Sequence, residues 1–298
     1  MSHTKLRSAK FSINELVKQT HGHSYASQAD MRHMLFRCIK DLHALGYKVG
    51  HVKGLQPKHI FALVEHWKAQ NKSPATIKNY MSKLRMTARL LDKANLIKPD
   101  NAAYHIDKRA YAPTQNKAIH HIDLTKCTDP YIRLSLEGQA LFGLRREESM
   151  KFTVREAVNG NTIIIKPSWT KGGIGRTLDI THDLQRQWLN KVAQLVLPGH
   201  SLIPPDRSYK QHLSHYEAQA KAMGVCKLHG LRHAYAQRRY KELTRLFDPT
   251  GQGLIPPIDG GKQYKDMTNA EKIIDRQARQ MLSRDLGHSR ISITRVYL

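Results

Sequence analysis

Apolar residues in the first hundred positions recur at steps of three and four, which is the spacing of one helix face. The first such stripe runs from Met31 to Leu45 and precedes Gly46, a residue that favours the end of a helix. A second begins at Pro57, and a third begins at Ser73-Pro74, where serine can cap the helix and proline suits its first turn. These patterns predict a small bundle of helices in the amino-terminal part of the chain.

The remainder of the chain combines helical patterns with a few short strands. Val154 to Val158, the Asn159-Gly160 turn and Thr162 to Ile165 predict a β-hairpin, and a third strand is predicted from Arg176 to Ile180. The predicted fold class is therefore mostly α with a small antiparallel β-sheet, in which a helical domain is followed by an α+β domain.

Loss of periodicity near residue 100 suggests a boundary between two domains, as the length of 298 residues also does. We divide the chain into a basic, loose tail over residues 1–24, a helical domain over 25–100, a linker over 101–116 and a second domain over 117–298. The stretch from Asp248 to Gly261 is rich in proline and glycine and is predicted to be a loop.

The net charge indicates a polyanionic partner. Lys and Arg number 49 against 24 Asp and Glu, which gives a formal charge of +25. Such an excess is typical of DNA binding, because each neutralised phosphate releases condensed counterions. On the third helix, Lys78, Arg85 and Arg89 form a stripe beside the apolar face, which is either a solvated surface or a phosphate-contacting one. The candidate DNA-binding residues are Lys72, Lys78, Arg85, Arg89, Lys108 and Arg109.

Other classes of protein and site are disfavoured. The sequence has no run of about 18 apolar residues that would span a bilayer and no apolar secretory signal, so we expect a cytoplasmic, nucleoid-associated protein. The three cysteines (Cys38, Cys127 and Cys226) are far apart and have neither disulfide nor zinc spacing. We therefore predict no metal site and no cofactor.

Four clusters of basic or nucleophilic residues occur in a fixed order. They are Gly143 to Glu148, Thr170 to Gly173, His229 to His233, and Leu286 to Tyr297. Together they supply arginines, a lysine, histidines and a tyrosine, a set that can attack a phosphodiester without a metal. The candidate catalytic residues are Arg145, Lys171, His229, Arg232, His288 and Tyr297, and Glu148 is a candidate supporting residue.

Each side chain suits one task in phosphodiester cleavage. Two guanidinium groups, Arg145 and Arg232, could hold the non-bridging oxygens and stabilise the charge that builds in the transition state. A leaving alkoxide needs a proton, which Lys171 or His229 could deliver. His288 could bond a phosphate oxygen or the nucleophile, and Tyr297 would be that nucleophile.

Taken singly, each of these residues also has a simpler interpretation. An isolated arginine positions phosphate or faces solvent, Lys171 is a solvated hairpin residue, His288 caps a helix, and Tyr297 is a frayed terminal tyrosine. The catalytic interpretation depends on all four clusters meeting in space.

These clusters resemble the tyrosine recombinase family, the phage-type integrases. Gly143-Leu144-Arg145-Arg146-Glu147-Glu148 resembles its first arginine box, and Thr170-Lys171-Gly172-Gly173 resembles its β-hairpin lysine. His229-Gly230-Leu231-Arg232-His233 matches its H-x-L-R-H box, and Leu286-Gly287-His288 with Tyr297 matches its carboxyl-terminal motif. The resemblance covers about residues 27–297 and implies a helical, SAM-like core-binding domain followed by an α+β catalytic domain.

The resemblance also implies a mechanism and a set of partners. Tyr297 would attack a DNA phosphate to form a 3′-phosphotyrosyl link and free a 5′-hydroxyl. Arg145 and Arg232 would clamp the phosphate, and Lys171 would protonate the leaving oxygen. His229 would serve as acid or base at the tyrosine, His288 would support the phosphate, and Glu148 would orient the neighbouring arginine. Neither ATP nor a metal is implied. The expected partners are double-stranded DNA at recombination sites, three further protomers in a homotetramer on synapsed duplexes, and accessory DNA-bending or directionality factors. The two domains would close around DNA as a clamp.

One departure from the family is the 56-residue separation of Arg232 and His288, which is larger than usual. We therefore expect the loop from Asp248 to Gly261 to be an insertion. The leading functional prediction is a site-specific recombinase or integrase of a mobile element or prophage. Two alternatives remain: a non-catalytic DNA-binding regulator of the same fold, and a type IB-like enzyme that relaxes supercoils.

Overall fold

The computed structural model describes residues 2–109 and 113–298, which divide into two compact units, residues 1–110 and 111–298. The first unit is a helical bundle that consists of α1 (Ser2–Lys18), α2 (Tyr25–Ala44), α3 (Pro57–Ala69) and α4 (Pro74–Leu90). Its core contains Ile60, Leu63 and Trp67 of α3 against Met81 and Leu84 of α4, all fully buried.

Local sequence signals explain where α2 and α4 begin. The Ser24 hydroxyl accepts a hydrogen bond from the Ser27 amide, and the Ser73 hydroxyl accepts one from the Thr76 amide, each at 3.2 Å. Both serines therefore satisfy an amide that the first helical turn would otherwise leave without a partner. Pro74 occupies the first turn of α4, as its sequence predicts.

The prediction of a loose tail over residues 1–24 is wrong for most of that segment. Ala9, Ile13 and Val17 of α1 are fully buried and belong to the core of the first unit. The Ser12 hydroxyl also accepts a hydrogen bond from the Val52 amide at 2.9 Å. Apolar residues four apart do form a helical stripe here, but basic residues on the other faces of α1 obscure it in the sequence.

The predicted linker is also more ordered than its sequence suggested. Tyr104 and Ile106 are buried in the first unit, and the Tyr104 hydroxyl accepts a hydrogen bond from the Lys98 amide at 2.9 Å. The linker's start therefore packs as part of the helical bundle. Residues 110–112 of that predicted linker lie outside the described residues.

The second unit combines helices with one small sheet. Its elements are α5 (Pro130–Phe142), α6 (Arg146–Met150), α7 (Val154–Ala157), β1 (Val158–Asn159), β2 (Thr162–Ile165), β3 (Arg176–Asp179), α8 (Asp183–Leu195), α9 (Tyr209–Ala222), α10 (Gly230–Phe247) and α11 (Asn269–Asp285). The strands are antiparallel in the order β1-β2-β3, and Ile163 pairs with Leu178 across β2 and β3. The predicted fold class, mostly α with a small antiparallel sheet, is confirmed.

One predicted strand is a helical turn instead. Residues 154–157 form α7, in which the amides of Glu156 and Ala157 both donate to the Thr153 carbonyl. This turn buries Ala157 completely against the sheet, and Glu156 forms an ion pair with Lys166 at 2.7 Å. Packing of Ala157 on the core therefore outweighs the strand preference of the flanking valines.

Helix α5 is central to the second unit because α8 and α10 both pack against it. A side chain at Gly138 would bring its Cβ within 2.5 Å of the Trp188 ring, so glycine permits the close approach of α5 and α8. Within the described residues, every helix is too short or too polar to cross a lipid bilayer.

Candidate active site

Tyr297 lies at the end of a short 3₁₀ segment, Ile291–Val296, that follows α11. The residue is only 4% exposed. Its hydroxyl lies 3.2 Å from His288 Nε2 and 3.5 Å from Arg232 Nε, which donates to it. The predicted nucleophile is therefore held inside a polar cluster of the second unit rather than frayed at the surface.

Arg232 is buried near the start of α10, and backbone carbonyls fix its guanidinium group. Nη1 donates to the Gly143 carbonyl and Nη2 donates to the Leu286 carbonyl. Burial, reinforced by the charge of Arg145 and opposed by Tyr297, lowers the Arg232 pKa to about 10. The group therefore keeps its positive charge at neutral pH, facing the tyrosine hydroxyl.

Gly143 makes this arrangement possible because it ends α5 with a φ of +61°. A Cβ at this position would meet the Tyr235 ring at 2.3 Å, so a larger residue would displace α10 or the turn. The turn places Arg145 immediately before α6, two residues after the Gly143 carbonyl that Arg232 binds.

Arg145 completes a pair of guanidinium groups. Its Nη2 donates to the carbonyls of Leu286 and Gly287 at 3.2 and 3.3 Å, so Arg145 and Arg232 share the Leu286 carbonyl. Its side chain is 25% exposed, unlike that of the buried Arg232. An incoming anion could therefore reach Arg145 from solvent.

Glu148 and Arg176 support Arg145, the partly exposed member of this pair. Glu148 is fully buried, and its carboxylate accepts from Arg145 Nη1 at 2.6 Å and from Arg176 Nη1 and Nη2 at 3.0 and 2.7 Å. Burial alone would raise the Glu148 pKa, but the bonds to Arg176 and the charges of Arg176 and Arg232 lower it to about 2. The Glu148 carboxylate is therefore ionised, and it holds Arg145 and Arg176 through ion pairs.

The sequence predicted Glu148 as a supporting residue but missed Arg176. Arg176 begins β3, and its Nε also donates to the Asp285 carbonyl at 2.7 Å. No local pattern marks it, because its task depends on the hairpin bringing residue 176 next to residue 148. The sequence offered only an indirect indication of such a residue. A carboxylate that is buried, as Glu148 is, needs cations and hydrogen-bond donors around it, so a further arginine or lysine could be expected beside it.

Three histidines surround the tyrosine ring. The ring centroids of His233, His288 and His229 lie 4.7, 5.7 and 6.2 Å from that of Tyr297. Burial lowers the pKa of His233 and of His288 to about 4, and neighbouring positive groups, including Arg232, contribute to both shifts. Both imidazoles are therefore neutral at pH 7. His233 was noted only as part of its motif and was not predicted as a site residue.

His229 differs from these two because it is exposed at the first residue of its motif, just before α10. Desolvation, and then the charges of Arg232 and Arg145, lower its pKa. Gly230 follows it, and a Cβ there would meet the Lys117 carbonyl at 2.5 Å. His229 therefore lies at the rim of the site, where solvent or a substrate can reach it.

Lys171 is not brought to the other five candidates. It lies in the exposed loop between β2 and β3, where Gly172 and Gly173 adopt φ values of +97° and +69°. Among the described residues, its ammonium group has no hydrogen-bond or ion-pair partner. We therefore expect that Lys171 would act at the site only after a movement of this loop.

The candidate DNA-binding residues belong to the first unit and differ in their surroundings. Arg85 donates to the Lys98 carbonyl and, at 2.8 Å, to Asn101 Oδ1, so its guanidinium is engaged within the bundle. In the described part of the chain, Lys78 and Arg89 make no such polar contact on α4. Of the other three candidates, Lys72 is half-buried, whereas Lys108 and Arg109 are exposed.

The residues that the structure describes contain no group of three His, Cys, Asp or Glu side chains positioned to hold a metal ion. Cys38 and Cys127 are buried and Cys226 is exposed, and all three are free thiols.

Two family models match the chain by sequence. The one described as "Phage integrase, N-terminal" matches residues 9–97, and the one described as "Integrase" matches residues 103–238. No curated protein that was compared with the chain matches it.

The fold is similar to solved structures of DNA-bound proteins. The Tn1549 transposon integrase with circular intermediate DNA has a TM-score of 0.53 at 12% identity, covering 96% of this chain and 94% of that one. A lambda integrase tetramer on a Holliday junction has a TM-score of 0.52 at 15% identity, covering 91% and 76%. The XerH site-specific recombinase bound to its difH substrate gives 0.52 at 16% identity, covering 97% and 80%. At these identities, the similarity establishes a common fold.

Proposed function

This chain belongs to the tyrosine recombinase family, and from that membership we propose that it is a site-specific recombinase that cuts and rejoins double-stranded DNA through a phosphotyrosyl intermediate. The observation that carries the proposal is the position of the Tyr297 hydroxyl, within 3.2 Å of His288 and 3.5 Å of Arg232 in a buried, positively charged cluster. A tyrosine that served only packing would gain little from such neighbours.

The first step of the proposed reaction is attack by the tyrosine oxygen on phosphorus. A phenol attacks best as a phenolate, and its proton must be removed as the bond forms. His288 is neutral because its pKa is about 4, so its Nε2 is available to accept that proton. The nearby Arg232 guanidinium stabilises the developing negative oxygen.

The phosphate itself would be held by the two arginines that share the Leu286 carbonyl. Non-bridging phosphate oxygens match the fork of a guanidinium group, and fixed donors stabilise the extra charge of a pentacoordinate transition state. Because Arg145 is partly exposed and Arg232 is buried, we assign Arg145 to the solvent side of the phosphate. Glu148 and Arg176 hold Arg145 in place through the buried ion pairs.

The bond from phosphorus to the 5′-oxygen then breaks, leaving a 3′-phosphotyrosine and a 5′-oxygen that takes up a proton. Lys171 would deliver that proton after its loop closes over bound DNA, since its two glycines allow the loop to change conformation. His229, at the rim, is the alternative donor. Rejoining reverses these steps when the 5′-hydroxyl of another strand attacks the phosphotyrosine, so neither ATP nor a metal ion is required.

The biological assignment extends this chemistry. We propose integration or excision of a mobile element or prophage by a homotetramer on two synapsed duplexes, with accessory DNA-bending or directionality proteins. A charge of +25 supports a DNA partner, and the similar fold of the tetrameric lambda integrase supports the assembly. Association with the nucleoid in the cytoplasm would follow from the same charge.

The deciding experiment captures DNA covalently. The protein would be incubated with a library of random duplexes, nicked so that the cleaved strand end diffuses away, and denaturant-resistant adducts would be sequenced. We expect adducts on one enriched sequence with the parent protein and none with Tyr297→Phe. Equal adduct formation by Tyr297→Phe would exclude the assigned nucleophile. Binding without adducts would favour a regulator, and relaxation of plasmids lacking the enriched sequence would favour a topoisomerase.

A further inference from the structure

Gln237 connects the nucleophile's backbone to the rest of the second unit. It is 1% exposed on α10, and its Nε2 donates at 2.9 Å both to the Tyr297 carbonyl and to Asn116 Oδ1. Gln237 and Arg232 lie on the same helix, so one rigid element contacts both the backbone and the hydroxyl of Tyr297.

A second link joins this glutamine to the expected insertion. Asn116 Nδ2 donates to Asp259 Oδ1 at 2.9 Å, and Asp259 Oδ2 forms an ion pair with Lys241 of α10 at 3.0 Å. Asp259 ends a 3₁₀ turn, Pro257–Asp259, within the loop from Asp248 to Gly261. The loop is therefore tied back to α10 through a chain of polar contacts that leads to Tyr297.

The loop that carries Asp259 has a defined shape. The Leu254 amide donates to Thr244 Oγ1 of α10 at 2.9 Å, and the Gly253 amide donates to Asp248 at 2.8 Å. Gly261 lies so close to the loop's own backbone that a Cβ there would meet the Ile255 carbonyl at 1.9 Å. Asp259 is thus presented to Asn116 by a folded segment.

The side chains of Asp259, Asn116 and Gln237 differ in which of their atoms can donate a hydrogen bond. A carboxylate only accepts hydrogen bonds, whereas an amide has a donating and an accepting end. Asp259 accepts from the Asn116 nitrogen, and the Ala118 amide donates to Asn116 Oδ1 at 2.9 Å, so both groups orient Asn116 with its Oδ1 facing Gln237. The Asn116 nitrogen also donates to Gln237 Oε1 at 3.4 Å. Asn116 Oδ1 and the Tyr297 carbonyl are both acceptors, so together they select the Gln237 orientation in which the NH₂ group faces them.

We propose that Gln237 is a positioning residue for Tyr297, and that the loop from Asp248 to Gly261 strengthens this anchoring through Asp259 and Asn116. The inference rests on the proposed function, since it assigns a task only if Tyr297 attacks DNA. A nucleophile must approach phosphorus within a few tenths of an ångström of its best path, so the anchoring of the residue's backbone affects the rate directly.

Two nearly isosteric substitutions test whether the hydrogen bonds from Asp259 through Asn116 and Gln237 position Tyr297. In Gln237→Glu a carboxylate oxygen replaces the NH₂ that faces the Tyr297 carbonyl, and we expect single-turnover adduct formation to fall on the order of 100-fold. Asp259→Asn removes the carboxylate that accepts from Asn116 and leaves the Ala118 amide to orient that residue, so the anchoring of Gln237 should weaken, and we expect a loss of about tenfold. Asp266→Asn, an exposed acid in the same connection between α10 and α11, is the matched control and should stay within about twofold.

A second nucleophile separates positioning of Tyr297 from general damage to the site. Hydrogen peroxide would be supplied to Tyr297→Phe, where its oxygen attacks phosphorus, the 5′-oxygen leaves with a proton and no protein adduct forms. Adding Gln237→Glu to Tyr297→Phe should leave this peroxide rate within about twofold, because Gln237 acts through the tyrosine that peroxide replaces.

The outcomes are distinct. Slower tyrosine cleavage with an unchanged peroxide rate supports the proposal, provided that thermal unfolding shows each variant folded. Equal losses of the two rates would show that Gln237 merely maintains the phosphate pocket and would overturn it, as would normal adduct formation by Gln237→Glu. Absence of adducts from the parent protein would instead count against the proposed function.

Discussion

Arg176 holds both carboxylate oxygens of Glu148, with Nη1 and Nη2 at 3.0 and 2.7 Å from Oε1 and Oε2. The two residues come from the strand after the hairpin loop and from the helix after the first arginine motif. Their contact links the hairpin to the turn that presents Arg145. Because Glu148 also accepts from Arg145, one buried carboxylate compensates two of the three arginines near the tyrosine.

Removal of the Glu148 charge should therefore destabilise the second unit. In Glu148→Gln the amide cannot compensate Arg145 and Arg176, and breaking a buried ion pair typically costs about 3 kcal/mol or more. We expect a loss of this size in the free energy of unfolding, measured by denaturant titration. Glu217→Gln is the control, because the Glu217–Arg146 pair is exposed and should contribute less than about 1 kcal/mol. A loss as small as that of Glu217→Gln would show that Glu148 is not needed to hold the arginines.

Acidification should weaken the fold through the buried histidines. His233 and His288 have pKa values of about 4 in the folded protein, below the value of 6.5 that applies when the chain is unfolded. Between these two pKa values the unfolded chain binds more protons than the folded protein does. The contribution of the histidines to the free energy of unfolding is therefore fully present above about pH 6.5 and is lost as the pH decreases towards 4. We expect each histidine to contribute on the order of 2 kcal/mol to this decrease. Urea unfolding at pH 7 and pH 5 should show a smaller difference in His233→Asn than in the parent, and an identical difference would contradict the assignment.

His288 should affect cleavage much more than DNA binding. Its Nε2 contacts the tyrosine hydroxyl, and removal of a general base typically slows a reaction by about 100-fold or more. His288→Ala should show this decrease in the single-turnover rate of adduct formation, with an affinity for DNA close to that of the parent. Ser289→Ala, at the exposed neighbouring position, provides the comparison. If affinity and rate fell in parallel, His288 would instead be a binding residue.

The proposed proton donor can be tested by changing the leaving group. Lys171 is exposed, so Lys171→Ala should leave the fold unchanged and slow cleavage of ordinary DNA by about 100-fold. A substrate with sulfur in place of the 5′-bridging oxygen needs no proton on departure, and on it the variant should approach the parent rate. Lys191→Ala, on the surface of α8, controls for the loss of a positive charge. Equal defects on both substrates would assign Lys171 to phosphate binding.

Local signals were sufficient to predict most helices but not every partner of the site. The Ser73 cap and the capping box of Thr268 with Glu271 are visible in the sequence because each acts within four residues. Three of the four sequence motifs marked Arg145, Arg232, His288 and Tyr297, which the structure brings into one hydrogen-bonded cluster, while the motif with Lys171 lies in an exposed loop. Their catalytic roles stay a prediction.

What the sequence left out depends on distant contacts. Helix α1 was interpreted as a loose tail because the burial of Ile13 requires packing against the other helices of the bundle. Arg176 and Gln237 were missed because their partners, Glu148 and Tyr297, lie 28 and 60 residues away in the sequence. No periodicity relates residues so far apart, and only the folded hairpin and the docked terminal segment bring them together.

The DNA-binding prediction for the first unit is best tested at candidate residues other than Arg85. Arg85 lies in the basic stripe of α4, but it donates to the Lys98 carbonyl and to Asn101. Arg85→Glu would therefore remove intrachain hydrogen bonds, at about 1 kcal/mol each, whether or not this face meets DNA. Lys78 and Arg89 lie on the same helix and lack such contacts among the described residues, so they report on DNA alone.

We expect the double variant Lys78→Gln, Arg89→Gln to bind DNA more weakly and with a weaker dependence on salt. Each lost phosphate contact should reduce the slope of log affinity against log salt concentration by about one, because fewer counterions are released. The slope would be measured by fluorescence anisotropy on a labelled duplex between low and moderate salt. Lys18→Gln, which changes an exposed lysine at the end of α1, has the same kind of charge loss elsewhere on the first unit. An unchanged slope in the double variant, or an equal change of slope in Lys18→Gln, would show that the basic stripe of α4 is a solvated surface. The reason is that the loss of a phosphate contact always reduces the number of counterions released on binding, and so always reduces the slope.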